Sequence, residues 1–62
     1  MHSSITAKIL ALLTIISKSR RPMTFTELVN ASGLNKSTLH RLLAICSTEK
    51  LVQFNEQRKV YR

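Results

Sequence analysis

A mainly α fold closed by a small β-hairpin is what this sequence predicts, and three observations carry the prediction. Apolar residues recur at helical spacing in three segments. The chain's only glycine, Gly33, falls between the second and the third of them, and two short runs of strand composition end the sequence. Two helices joined by a short glycine-containing turn form a helix-turn-helix, and a trailing hairpin makes it winged: three helices plus a wing. Sixty-two residues suffice for one such domain. A chain this short buries only about 60% of the surface its unfolded form exposes.

The first helix is expected from about Ile5 to Ser17, where Ile5, Ile9, Leu12, Leu13 and Ile16 share a face. Ser3 or Ser4 is placed to cap it, and Lys18 sits near its negative end. Leu10 and Ile15 fall off the main face. Ala7, Ala11, Thr14 and Lys18 make a second stripe, open either to a protein partner or to solvent. The stretch "AKILALLTIISKS" is too short to span a bilayer. It also lacks the basic flank and the small-residue cleavage pattern of a secretory signal.

"SKSRRPM" breaks this helix with the chain's only proline. Thr24 then caps a second helix, and Glu27 three residues later completes a capping box, with Met23 and Leu28 as its hydrophobic staple. The second helix runs from about Phe25 to Ser32 and stops at Gly33, which adopts the left-handed conformation other residues resist. Asn35 caps the third helix, Lys36 to about Glu49. "LVQF" and "KVYR", separated by "NEQR", read as the hairpin. The helix-turn-helix thus occupies about 24–44 and the wing about 51–62.

Ten Lys and Arg against three acidic residues give a net charge of +7. That balance points to a polyanionic partner or an anionic membrane surface. The third helix favours the former. Leu39, Leu42, Leu43 and Cys46 share its inward face, while Ser37, Arg41, Ala44 and Thr48, flanked by Lys36 and His40, face out. The centre of this outer face is small, so the backbone can approach a surface closely. Around it stand groups suited to a major groove: Arg or Lys for guanine O6 and N7, hydroxyls for phosphates or base edges, and methyls for thymine. Amide groups at the helix start, near Lys36 and Ser37, add affinity for a phosphate.

Other chemistries find little support. One cysteine leaves no internal disulfide and suits a reducing compartment, and Cys46 reads as a core thiol. His2 and His40 have no ligand at metal spacing, and no cofactor is called for. Phe25 and Phe54 read as core and Tyr61 as a ring packed under the wing, too few aromatics for a single-strand stacking platform. Without paired carboxylates or a nucleophile beside a base, no enzyme is expected.

The run "TFTELVNASGLNKSTLHRLL", with "LVQF" and "VYR" after it, resembles the DNA-binding domain of the IclR family of bacterial transcription regulators. The family pattern is met by Glu27-Leu28, Gly33-Leu34, Lys36-Ser37-Thr38, Leu39 and His40-Arg41-Leu42-Leu43. Lys50 stands where the family often has glycine, Asn35 where it often has proline, and "NEQR" lacks the usual glycine turn. The resemblance implies that Lys36, Ser37, Thr38, His40 and Arg41 enter or flank the major groove. Arg58 and Lys59 at the wing tip would meet phosphates or the minor groove. Thr24 and Thr26 would lie near DNA backbone phosphates, with Thr24 engaged as the cap, and Arg20 and Arg21 are loop charges open either to solvent or to contact.

Sequence-specific binding of a double-stranded DNA operator in the bacterial cytoplasm is therefore the expected function. The family also implies a homodimer or tetramer on palindromic sites. A small-molecule effector would bind a further domain, so the chain corresponds to the DNA-binding half of a longer regulator. Two rivals remain: a winged-helix protein-interaction module that uses Leu10 and Ile15, and a membrane-surface peptide built on the first helix. The alanine- and threonine-rich polar face of that helix argues against the membrane.

Overall fold

Spacing and punctuation resolve into three helices and a small sheet. The computed structural model describes residues 4–62, so the expectations for His2 and Ser3 fall outside the described residues. Helix α1 spans Ser4–Lys18, α2 Phe25–Ser32 and α3 Lys36–Thr48. Strand β1 is Met23–Thr24, β2 Phe54–Asn55 and β3 Val60–Tyr61, in the order β1-β3-β2 with both pairs antiparallel. The wing hairpin is β2-β3. Strand β1 was not expected: a two-residue strand is too short to leave a periodic signal, and "MT" runs straight into a helix.

Five leucines, Leu12, Leu28, Leu39, Leu42 and Leu43, form the core, one from α1, one from α2 and three from α3. Cys46 and Val52 are buried beside them. Each fully buried leucine contributes about 1.5–3 kcal/mol relative to exposure. In α1, Leu12 is inaccessible, and Ile9, Leu13 and Ile16 are half-buried. Two positions on this helix depart from the wheel. Ile5 is 49% exposed, whereas Ile15 packs against the core. At 1.5 Å per residue α1 is about 22 Å long and α2 about 12 Å, so α2 cannot cover the whole length of α1. Helix α1 packs against both α2 and α3, and Ile15 is partly buried against the core.

The capping box of α2 is complete. The Glu27 N–H donates to Thr24 Oγ1 at 3.1 Å, and the Thr24 N–H donates to Glu27 Oε1 at 2.9 Å. The Thr24 N–H is the main reason the Glu27 carboxyl lies below the usual carboxylate range. The Thr24 hydroxyl and Arg21, whose guanidinium stands 3.4 Å away, pull the same way against partial desolvation. Gly33 ends the helix at φ 71°, and its N–H donates to the Val29 carbonyl at 3.0 Å. Asn35 caps α3 through a 2.8 Å bond from the Thr38 N–H.

Helix α3 ends in the same left-handed way, without a glycine. Lys50 has φ 61°. Its N–H reaches the Ser47 carbonyl at 3.1 Å and the Leu51 N–H reaches that of Cys46 at 2.8 Å, the paired bonds of a Schellman cap. Leu51 and Val52 are therefore used to close the helix, and the strand expected over "LVQF" pairs only from Gln53 onward. Gln53 and Arg62 exchange two backbone bonds of 3.0 Å, which extend the ladder beyond β2 and β3. At the other end of the hairpin, Asn55 Oδ1 accepts from the Gln57 and Arg58 N–H groups, each at 3.0 Å. Lys59 then turns left-handed at φ 58°, and its N–H donates to the Asn55 carbonyl at 2.7 Å.

Two outcomes follow. A side chain held left-handed costs about 1–2 kcal/mol, and a glycine loses about 0.5–1 kcal/mol of this advantage to unfolded-state entropy. Lys50→Gly should therefore raise unfolding stability in urea by about 0.5–1 kcal/mol, and a loss would refute the strain at this cap. Because the Glu27 carboxyl is depressed in the folded state, its contribution is present above the unfolded carboxylate pKa. It is lost as pH falls through the lower folded value. Thermal unfolding of Glu27→Gln across pH 2–6 should show a shallower acid decline than the parent. Equal slopes would show that the box is indifferent to charge.

Candidate nucleic-acid interface

Burial of one side of α3 determines what the other side presents. With Leu39, Leu42, Leu43 and Cys46 turned inward, Lys36, Ser37, His40, Arg41 and Ala44 are all exposed. Thr38 is half-buried, at the edge of this face rather than on it. The backbone N–H of Thr38 is also committed to the Asn35 cap. No acidic side chain lies within α3, and the ion pair between Arg21 and Glu27 is the only one among the described residues. Lys36 and Arg41 thus project their charge without an ion-pair partner among those residues.

Two aromatic contacts fix the surroundings of this face. Phe25, the first residue of α2, sets its ring 5.8 Å from that of His40 at 59°, and with Lys36, Ser37 and Arg41 these two line a shallow hollow. On the wing, Phe54 and Tyr61 stack 4.6 Å apart, with Lys59 Nζ 5.9 Å from the centre of the Phe54 ring. Tyr61 is half-buried against the core, and desolvation pushes its hydroxyl above the usual range. Phe54 departs from expectation, since 39% of it is exposed. Together with His40, Ala44 and Ser47 it borders a small apolar notch where α3 meets the wing.

The predicted residues therefore fall into two groups. Lys36, Ser37, His40 and Arg41 come together on one face of α3, with Thr38 at its margin. Arg58 and Lys59 lie apart, exposed at the turn of the wing. Thr24 is spent on its cap, and Arg21 stays exposed at 3.4 Å from Glu27. Phe54 and Ser47 escaped the sequence reading. A large aromatic in a strand reads as core, and only the packed position of the hairpin shows otherwise. Asn55 was legible in principle, because an asparagine opening a glycine-free turn signals a side-chain-to-backbone bond.

Cys46 is inaccessible, and burial pushes its thiol pKa up, as a core thiol requires. Among the described residues no helix is long and apolar enough to cross a membrane. A family model, the IclR helix-turn-helix domain, matches residues 6–55. The chain belongs to that family. The match runs from α1 through β2, and so takes in the whole of α2, the turn at Gly33 and α3. No curated protein and no solved structure matches the chain. As an IclR helix-turn-helix domain the protein is a DNA-binding module of the transcription-regulator type, a family defined by binding rather than by catalysis. The exposed polar face of α3 and the capped turn before it lie within the matched span, whereas Arg58 and Lys59 lie beyond it.

Proposed function

We propose that the protein binds double-stranded DNA in a sequence-specific manner, with α3 and its cap, residues 36–49, as the recognition helix. The observation that carries this reading is the outward face of α3. Lys36, Ser37, His40 and Arg41 share this exposed face with the small side chain of Ala44, with no carboxylate among them. Arg41 is the group suited to a bidentate bond with guanine O6 and N7. His40 stands beside Phe25, and Ser37 offers a hydroxyl to either a base edge or a phosphate. Ala44 leaves room for close approach and a methyl for thymine. Thr38, at the margin, serves the flank of the groove. The N–H groups of Lys36 and Ser37 open the helix toward a phosphate.

Arg58 and Lys59 supply affinity through the phosphate backbone, the sequence-independent part of the interaction. Such domains suit a homodimer or tetramer on half-sites about one helical turn apart, or a multiple of it. Control by a small-molecule effector belongs to other parts of a longer regulator in the bacterial cytoplasm. The protein-interaction alternative loses one of its two supports. Leu10 is 56% exposed, but Ile15 is packed into the core.

The test begins with selection of preferred duplexes from a random pool. Arg41→Ala should then weaken binding to the selected site by about 1–3 kcal/mol and relax preference at one base position. Undiminished affinity with the fold intact would favour the protein-interaction reading.

A further inference from the structure

Ring packing brings a residue of α2 to the outward face of α3. Phe25, the first residue of α2, is half-buried and packs against the leucine core. The capping box of Thr24 and Glu27 fixes the backbone on which it stands. Its ring lies 5.8 Å from that of His40 at 59°, within the tilted geometry that aromatic pairs favour. His40 is exposed, so a ring anchored in the core braces a side chain on the surface. With Lys36, Ser37 and Arg41 the two rings line an open hollow, and most of its exposed lining is carbon. The guanine and phosphate contacts of α3 leave that carbon surface without a counterpart.

We propose that Phe25 and His40 hold the 5-methyl group of a pyrimidine next to the guanine that Arg41 reads. Phe25 is thereby a specificity-determining residue contributed by α2. The inference rests on the reading of α3 given above and deepens it. On the floor of the major groove the 5-methyl of thymine is the apolar group that a base edge presents, and Phe is among the side chains suited to it. Arg41 lines the same hollow as the two rings, and successive bases of a strand are about 3.4 Å apart. Groups that share one hollow thus meet the same base pair or its neighbour. A G·C pair carries no methyl, so the methyl belongs to the neighbour. Packing against the core holds the Phe25 ring in place before DNA arrives, and little ordering is lost on contact. Thymine, or 5-methylcytosine, is preferred there over its unmethylated counterpart.

The test replaces the thymines of a selected duplex with uracil, one at a time, which removes the methyl and leaves base pairing unchanged. One position decides: the base pair next to the guanine at which Arg41→Ala relaxes preference. Uracil there should weaken binding by the parent about three- to fivefold, the worth of burying one methyl group. Phe25→Ala should bind the thymine and uracil duplexes equally and keep its preference for the guanine. Ala44→Ser should still distinguish them, which separates this contact from the methyl of Ala44. Equal binding of both duplexes by the parent, with Arg41→Ala impaired, overturns the methyl contact alone. A selected site without thymine beside that guanine overturns it too. Discrimination that survives in Phe25→Ala but not in Ala44→Ser assigns the methyl to α3 and overturns the role of Phe25. If Arg41→Ala binds as the parent does, the reading of α3 fails, and this proposal with it. Should circular dichroism show Phe25→Ala unfolded, the parent complex is examined by NMR instead. The thymine methyl protons must then show a nuclear Overhauser effect to the Phe25 ring, and its absence overturns the proposal.

Discussion

The seam of Leu39, Leu42, Leu43 and Cys46 against Leu12 and Leu28 is the constraint on which the rest of the molecule depends. A helix can present a chosen set of side chains only if its rotation about its own axis is fixed, and apolar burial is what fixes it here. Successive residues are 100° apart, so turning α3 by one position would expose a leucine and bury Lys36 or Arg41. Losing a buried leucine costs about 2–5 kcal/mol, a large share of what a domain of this size possesses. The outward face is therefore specified from behind. Its polar residues are free to suit a ligand because they do little to hold the fold.

The caps translate this packing into position. Thr24 with Glu27 starts α2, Gly33 stops it, and Asn35 starts α3 two residues later, so the angle between the helices is set over a very short stretch. At the far end of α3, Lys50 repeats the geometry of Gly33 at a steric cost that glycine would avoid. Its side chain lines a groove beside Pro22 and Val60.

Much of this was legible in the sequence, where the signals are local. The bounds of α2, the capping box, the turn at Gly33 and the inward face of α3 depend on residues within four positions of one another. What could not be read depends on neighbours distant in sequence. Ile15 is partly buried against a core to which α1, α2 and α3 all contribute, whereas Ile5 stays exposed. Strand β1 exists only because β3 returns to pair with Met23 and Thr24. Leu51 and Val52 have strand composition yet close a helix, since their N–H groups donate to the Cys46 carbonyl. Within the interface, the face of α3 was readable from its period. The exposure of Phe54 and the meeting of Lys50, Arg58 and Arg62 along one groove depend on how the hairpin folds back, which composition does not encode.

The central claim is that the outward face of α3, oriented by the leucine seam, is what meets DNA. An NMR titration of the isotope-labelled protein with a short generic duplex, at low and then moderate salt, addresses it most directly. The account predicts that amide shifts concentrate on residues 36–44 and on the wing turn at 55–59, and that they fade as salt rises. Silence at those residues, with a response confined to α1, would contradict it.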